Sequence, residues 1–234
     1  MKKPELVTNM DDTRDRAYGG RIIEDLLIKP PPGYVFLVSA AQDSHYDLFM
    51  LTLIRKALEI GMNTLEVVTE ARNRKLMEEL SSMQSDLFHI LETSYGQDSL
   101  GKHSCQPHLH EINIMLRELR NVLGPEIVIF EGLTPLLIDF LPRDVVQFFK
   151  ESVEESTKRG SKEFYLIHMD TADEIIMNQL FSLAQGILSL STSRGKHYLT
   201  IRKSSAVDLP SNPIEYVPIM SDSKISQWHV NMNW

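Results

Sequence analysis

The sequence predicts an α/β protein with a mostly parallel central sheet, flanked by helices and completed by antiparallel C-terminal strands. The first observation is a strand–helix–strand unit, because the β-branched run Val35–Ser39, the helical periodicity of Leu48–Ile60 and the run Thr64–Thr69 follow each other. Such a unit joins parallel strands. The second observation is Ile127–Phe130, an apolar run typical of the centre of a parallel sheet. The third is the turn Ser193–Lys196 between two apolar runs, which predicts an antiparallel hairpin.

Apolar periodicity and stop signals predict the remaining elements. Helices are expected near residues 22–27, 72–83, 110–123, 142–158 and 173–184, and strands near residues 87–91, 164–168, 186–190, 197–202, 214–217 and 228–230, the last two as edge strands. Either Thr171 or Asp173 is expected to cap the last helix. The polar segment at residues 92–107 predicts a flexible loop.

Two regions are expected along the chain. Residues 1–20 are charged and lack periodicity, which predicts a mobile N-terminal arm. Residues 21–234 are expected to form a single domain, since this length suits one large core.

The composition is that of an ordinary soluble globular protein, with 42% apolar and 24% charged residues. No run of about 18 apolar residues is present, so no membrane span is expected. The start of the chain lacks the apolar stretch of a secretory signal, and the lone Cys105 excludes an internal disulfide, so the cytoplasm is favoured. The net charge of −8 makes nucleic acid an unlikely partner.

The loop between the first strand and its helix is the expected place for a phosphate, because helix N–H groups and the helix dipole point there. A working phosphate loop needs glycines, a lysine and a Ser or Thr. The loop Ala40–Asp47 contains no glycine and no lysine, and Asp43 and Asp47 are acidic. Two carboxylates satisfy the helix dipole and repel a triphosphate. The sequence therefore predicts a nucleotide-binding architecture that lacks nucleotide chemistry.

The order of motifs resembles the RecA-superfamily ATPases, specifically the archaeal and bacterial KaiC-like branch. Ile23–Leu27 followed by Gly33–Ser39 resembles the segment that leads into that family's phosphate loop. Val67–Glu70 resembles the strand that ends in its catalytic carboxylate, and Ile127–Thr134 resembles its Walker B strand. The resemblance implies a RecA-like P-loop NTPase fold.

The resemblance also assigns candidate site residues. The family's magnesium-binding Asp becomes Glu131, and Glu70 and Glu131 would be relict catalytic positions. Arg202 and Lys203 match basic residues that reach a neighbouring subunit. The degenerate phosphate loop would consist of Ala40, Asp43, Ser44, His45, Tyr46 and Asp47, with the family's lysine replaced by Tyr46 and its threonine by Asp47.

Three further features have competing interpretations. One loop carries four residues of metal-ligating type, His103, Cys105, His108 and His110, but their spacing matches no standard zinc pattern and a solvated polar loop is favoured. His168 closes an apolar strand, either as a crevice histidine or as a polar sensor at the strand end. Arg194, Lys196, Arg202 and Lys203 either meet a neighbouring subunit's acids or protect an edge hairpin from strand addition.

The sequence therefore predicts an inactivated KaiC-like protein with a regulatory or scaffolding role in signalling, acting through protein contacts without ATP hydrolysis and without a cofactor. The resemblance to that family implies that its partner is a second copy of itself or an active RecA-like ATPase. Two alternatives stay open. One is a RecA-like ATPase that binds or weakly hydrolyses ATP with magnesium. The other is a recombinase paralogue that acts with nucleic acid, whose affinity would fall steeply with salt.

Overall fold

The computed structural model describes residues 21–69, 86–93, 103–205, 209–221 and 229–233. The strands are β1 Val35–Ala40, β2 Thr64–Val68, β3 Phe88–Thr93, β4 His103–Cys105, β5 Ile127–Glu131, β6 Lys162–His168, β7 Gly186–Ser193, β8 Lys196–Ser204, β9 Ile214–Ile219 and β10 His229–Asn233. The helices are α1 at residues 21–28, α2 Tyr46–Glu59, α3 Leu109–Leu123, α4 Leu133–Asp139, α5 Pro142–Arg159 and α6 Glu174–Leu183. The predicted arm at residues 1–20 and helix at 72–83 lie outside the described residues.

All ten strands form one sheet in the order β10-β9-β8-β7-β1-β6-β5-β2-β3-β4. The strands from β7 to β4 are parallel, and β8, β9 and β10 are antiparallel to their neighbours. We call the side of the sheet at which the parallel strands end the strand-end edge, and the side at which they begin the strand-start edge. Neither name refers to the outer strands of the sheet. The predicted fold class, a mostly parallel sheet with antiparallel C-terminal strands, is confirmed.

Every residue of β1 is buried because helices cover both faces of the parallel strands. Alternate residues point to opposite faces, so Phe36 packs into one core with α1 and α2, while Leu37 packs into a second core with α3 to α6. Side chains of β8, β9 and β10 extend only the first core. The antiparallel strands therefore have one packed face and one face with exposed apolar residues such as Val217 and Ile219.

The hairpin between β7 and β8 forms as predicted. Its two turn residues, Arg194 and Gly195, have φ values of 52° and 74°. Positive φ at both central residues defines the type I′ turn, whose twist matches that of the flanking strands. The turn sets the register in which Ser193 pairs with Lys196.

Two sequence predictions are corrected, and one helix was missed. The predicted flexible loop at residues 92–107 contains the end of β3 and all of β4, which pairs with β3 from Leu91↔His103 onward. The predicted edge strand at 214–217 is β9, which lies inside the sheet between β8 and β10. The short helix α4 was not predicted, because it spans only seven residues and contains Pro135. Among the described strands, β10 and β4 are the two outer strands. The Val230 N–H of β10 donates to Thr52 Oγ1 of α2 at 3.0 Å.

A buried ion pair joins α3 to the beginning of β6. The Arg120 guanidinium donates to both Glu163 carboxylate oxygens, at 3.0 and 2.7 Å, and to the Tyr165 hydroxyl at 3.2 Å. Tyr165 and Ser161 also donate to Glu163, each at 2.7 Å. Burial opposes the charged guanidinium, yet Glu163 and Tyr165 raise the pKa of Arg120, while burial and Glu163 raise the pKa of Tyr165. This network lies at the strand-start edge.

Two lysines cap helix C-termini, where backbone carbonyls lack intrahelical partners. Lys162 Nζ donates to the carbonyls of Leu27 and Ile28 at the end of α1, at 2.5 and 3.1 Å. Partial burial lowers the pKa of Lys162. Lys203 Nζ binds the last turn of α6 in the same way, at 2.5 Å from the Ala184 carbonyl.

Candidate functional site at the strand-end edge

The loop between β1 and α2 is short and folded on itself. The Ser44 N–H and hydroxyl both donate to the Ala41 carbonyl, at 3.1 and 2.6 Å, and Ser44 is fully buried. The Ala41 N–H donates to the Leu190 carbonyl of β7 at 2.9 Å. The predicted phosphate loop is therefore a tight turn held against β7.

His45 precedes α2 with φ 51°, a left-handed conformation that is uncommon outside glycine. Its carbonyl accepts from the N–H groups of Leu48 and Phe49, at 3.1 and 3.3 Å. The helix begins at Tyr46, two residues before the predicted start at Leu48. Tyr46 and Asp47 therefore lie in the first turn of α2.

Side chains from the C-terminal strands bind the loop carbonyls. The Thr192 hydroxyl of β7 donates to the Asp43 carbonyl at 3.2 Å. The Tyr216 hydroxyl of β9 donates to the Ser44 carbonyl in a short hydrogen bond. Burial is the main cause that raises the pKa of Tyr216, so this hydroxyl keeps its proton. The loop is thus hydrogen bonded to two strands that lie far away in the sequence.

A pair of histidines completes this contact. The His45 and His197 rings meet edge to face with centroids 5.1 Å apart, and His197 stacks on Tyr216 at 5.5 Å. His197 Nδ1 lies 3.2 Å from the Thr192 hydroxyl oxygen. Burial and the neighbouring His45 lower the pKa of His197, and Asp43 partly opposes them.

Tyr46 occupies the space beside the end of β6. Its ring lies 4.6 Å from the His168 ring, centroid to centroid. The His168 backbone is fixed as well, because its N–H donates to Thr134 Oγ1 at 2.9 Å and its carbonyl accepts from Thr171 Oγ1 at 2.5 Å. His168 is thus a crevice histidine in contact with the loop, and its role as a sensor stays a prediction.

Glu131 is buried at the end of β5, paired in register with Val68 of β2. It lies two and four residues after Ile129 and Ile127 in the same strand, so its side chain shares their face, which is the α2 side of the sheet. Thr69 Oγ1 donates to the Glu131 carbonyl at 2.9 Å and ties the two strand ends together. Glu70, the other predicted carboxylate, lies outside the described residues.

The predicted basic group is divided between the two sheet edges. Arg194 and Lys196 lie at the strand-end edge, where Lys196 forms an ion pair with Glu215 at 2.7 Å. Because β8 runs back across the sheet, Arg202 and Lys203 lie at the strand-start edge. Strand β9 pairs with β8 at His197–Leu199, so this part of the hairpin is not at the edge of the sheet. Arg202 and Lys203 lie beyond that pairing, and for them both predicted roles stay predictions.

The predicted metal-ligating residues have different neighbours. The His103 ring lies 6.3 Å from His89, whereas the His108 ring lies 6.4 Å from Phe140. Burial, with a smaller effect of Glu111, raises the pKa of the Cys105 thiol to about 11. In the ranges that the structure describes, no group of three or more His, Cys, Asp or Glu side chains is arranged to hold a metal ion.

Sequence reasoning missed Thr192, His197 and Tyr216. A signal for two of them exists in the alternation of the antiparallel strands. His197 continues the core-facing positions of Leu199 and Ile201, and Tyr216 continues that of Ile214. Which loop these side chains contact depends on the strand order, which no local pattern encodes.

The order of the strands and the position of the loop define an α/β protein with a RecA-like fold. The chain is similar in structure to a KaiC-like protein of Pyrococcus horikoshii, with a TM-score of 0.62 and 14% identity over 80% of this chain and 86% of that one. It is also similar to the flagellar accessory protein FlaH of Methanocaldococcus jannaschii, with a TM-score of 0.62 and 11% identity over 91% and 93% of the two chains. At such identities the likeness shows the fold alone.

No protein-family model and no curated protein matches the sequence. Within the described residues, no helix is both long enough and apolar enough to span a membrane.

Proposed function

We propose that this RecA-like protein has a regulatory or scaffolding role in signalling, that it acts through protein contacts, and that it does not hydrolyse ATP. The observation that carries the proposal is the loop between β1 and α2. Its carbonyls at Asp43 and Ser44 are bound by Thr192 and Tyr216. A phosphate site would need N–H groups and a lysine at this position.

The side chains of the loop support the same conclusion. Asp43 and Asp47 place two acids where a triphosphate would approach, and like charges a few ångströms apart repel by about 1 kcal/mol or more each. The Tyr46 ring packs on His168 at the position that the resemblance assigns to the phosphate-binding lysine. These residues do not fit a magnesium–triphosphate group. Glu131 alone is a poor magnesium site, because Mg²⁺ is usually shared between one or two carboxylates and substrate phosphates.

The proposed partner is a second copy of the chain or an active RecA-like ATPase. The sheet supports a contact role, because apolar side chains of the antiparallel strands are exposed on the face opposite the first core. On β9, Val217 and Ile219 are 43% and 37% exposed, and Met220 directly after it is 55% exposed. An exposed apolar cluster on a sheet face is typical of an interaction surface.

A thermal-shift titration with ATP, ADP and magnesium tests the missing nucleotide site. A ligand that binds only the folded state raises the melting temperature by mass action. We expect no rise in the melting temperature up to about millimolar nucleotide. At this concentration even a weakly bound nucleotide would add about 1 kcal/mol to the free energy of unfolding. The matched variant His45→Gly/Tyr46→Lys/Asp47→Thr restores glycine, lysine and threonine and controls for detection of weak sites.

A clear rise in the melting temperature of the unmodified protein, together with ATP hydrolysis that Glu131→Gln abolishes, would replace this proposal with the ATPase alternative. The self-association half of the proposal is tested by sedimentation of the unmodified protein and of Val217→Asp. Val122→Asp, at a 74% exposed position on α3, is the control, and we expect only Val217→Asp to weaken self-association.

A further inference from the structure

We propose that the strand-end edge contains a proton-operated clamp, in which protonation of both His45 and His197 releases the loop at residues 41–45 from β7, β8 and β9. This inference goes beyond the proposed function and does not depend on it, because the clamp involves no nucleotide and no partner. It rests on the contacts between the loop and the C-terminal strands.

In the described residues, the contact between the His45 and His197 rings is the only ring–ring contact that joins the loop itself to β8. Their centroids are 5.1 Å apart in an edge-to-face arrangement, which is favourable for neutral rings. Tyr216 stacks on the other side of His197 at 5.5 Å. Two imidazolium cations at this distance repel each other, so the same contact opposes closure when both rings are charged.

Hydrogen bonding fixes which nitrogen takes the proton. The Thr192 hydroxyl has one hydrogen, which it donates to the Asp43 carbonyl at 3.2 Å. Its contact with His197 Nδ1 at 3.2 Å therefore requires the ring nitrogen to be the donor. Neutral His197 carries its proton on Nδ1, and acidification adds the second proton at Nε2.

The other charged and titratable groups around the pair do not cancel this effect. Asp43 favours the charged form of His197, but burial and His45 outweigh it, so the pKa of His197 stays lowered. Asp43 and Asp47 also face Tyr216, whose raised pKa keeps it neutral. Lys196, next to His197, is paired with Glu215 at 2.7 Å. On the α2 side, the Tyr46 ring contacts His168.

The direction of the pH effect follows from linkage. The folded protein lowers the pKa of His197 below its unfolded value near 6.5, so the unfolded or open form binds protons more readily. The stabilisation is complete above the unfolded pKa and is lost as the pH falls through the folded pKa.

Hydrogen–deuterium exchange of the unmodified protein in nucleotide-free buffer tests the clamp. After correction for intrinsic exchange rates, we expect the opening equilibrium constant of amides 41–49 to be at least about fourfold larger near pH 5 than near pH 7.5. Two unit charges about 5 Å apart repel each other enough, even in water-like surroundings, to change an equilibrium constant about fourfold. Equal protection of these amides at the two pH values would overturn the clamp.

The variant His45→Asn removes one imidazole and keeps a residue type that tolerates left-handed φ. It is expected to make the pH effect on amides 41–49 smaller by about fourfold, because the repulsion between two cations is removed, whereas the contribution from burial of His197 remains. His110→Gln, an exposed histidine on α3, is the matched control and should keep the full effect. A full pH effect in His45→Asn, or its loss in His110→Gln, would contradict the mechanism.

An imidazole NMR titration of the unmodified protein keeps the clamp testable if His45→Asn does not fold. The His197 ring is expected to titrate below the usual histidine range. Titration of His197 at an ordinary histidine value would overturn the clamp. A nucleotide-induced rise in melting temperature would count against the proposed function only, so the two failures are distinguishable.

Discussion

Strand β6 carries polar side chains at both of its ends, and the two ends differ in burial and in the kind of contact that their side chains make. At the strand-start edge, Glu163 is fully buried and receives donors from Arg120, Tyr165 and Ser161. At the strand-end edge, His168 is half-buried and meets Tyr46 through a ring contact. The first end consists of charged side chains in a buried network, and the second is a half-buried contact between aromatic rings.

The difference teaches how one sheet divides its tasks. Removing one member of a buried ion network leaves an uncompensated charge, so such a network tolerates no adjustment. Contacts among histidine and tyrosine rings cost less to break and respond to pH. We therefore expect the strand-start edge to determine stability, and the strand-end edge to determine the mobility of the loop.

The largest effect is expected from Arg120→Met, which leaves the Glu163 carboxylate buried without its cation. Urea unfolding should show a loss of about 3–5 kcal/mol in the free energy of unfolding. The exposed pair Lys158–Glu155 provides the control, and Lys158→Met should cost less than about 1 kcal/mol. The double variant Arg120→Met/Glu163→Gln should recover part of the loss, and a double variant less stable than Arg120→Met would argue against the buried-charge explanation.

The next largest effect is expected from Tyr216→Phe, which removes the hydroxyl that binds the Ser44 carbonyl. A buried carbonyl without a donor costs about 1–3 kcal/mol, and faster exchange should appear at the loop amides before global unfolding. Tyr198→Phe, on the opposite face of β8, is the control. If the exchange protection of the loop amides is unchanged in Tyr216→Phe, the inference that contacts at the strand-end edge determine the mobility of the loop is wrong.

Helix α6 spans both edges, and its ends provide a smaller, matched test. Asp173, at the strand-end edge, accepts a hydrogen bond from the Ile176 N–H at 2.9 Å. Asp173→Ala should lower the unfolding free energy by about 1 kcal/mol, while Asp173→Asn, which still caps, should cost little. If Asn destabilises as strongly as Ala in chemical denaturation, the capping interpretation is wrong.

The smallest effect is expected at the other end of the same helix. Lys203→Met removes the ammonium that binds the Ala184 and Phe181 carbonyls, at 2.5 and 3.3 Å. Loss of a cation at a helix C-terminus costs about 0.3–1 kcal/mol and shrinks as salt screens the contact. Denaturation at low and high salt measures this dependence, and Lys203→Arg should retain most of the stability. A salt-independent loss would instead indicate lost packing.

Local patterns were sufficient for the elements that carry their own signals. The periodicity of α2, the cap at Asp173 and the turn at Arg194–Gly195 each depend on residues within a few positions of one another. For the cap, the sequence left Thr171 and Asp173 as alternatives, and the structure has Asp173. The alternation of short apolar runs with helices likewise predicted the parallel sheet. For the site, the loop at residues 40–47 and Glu131 were correctly expected at one edge, because the ends of parallel strands meet there.

The missed features depend on contacts between residues far apart in the sequence. Strand β4 is three residues in a polar segment and exists through its pairing with β3. Arg120 follows Leu116 by four positions, so it lies on the buried stripe of α3, and that position was the available signal for the ion network. Its partner Glu163 could not be identified without knowing that α3 packs over β6.

The hydrogen bond between Tyr216 and Ser44 spans 172 residues, and that between Val230 and Thr52 spans 178 residues. On a ribosome that adds about 5–20 residues per second, the loop is made roughly 10–30 s before the tyrosine that closes it. The first strand–helix unit must therefore stay compact by its own packing during synthesis. The complete set of loop contacts is one of the last features of the nascent chain to form, and a truncation that removes β9 should leave the loop held by β7 and β8 alone, without the Tyr216 hydrogen bond.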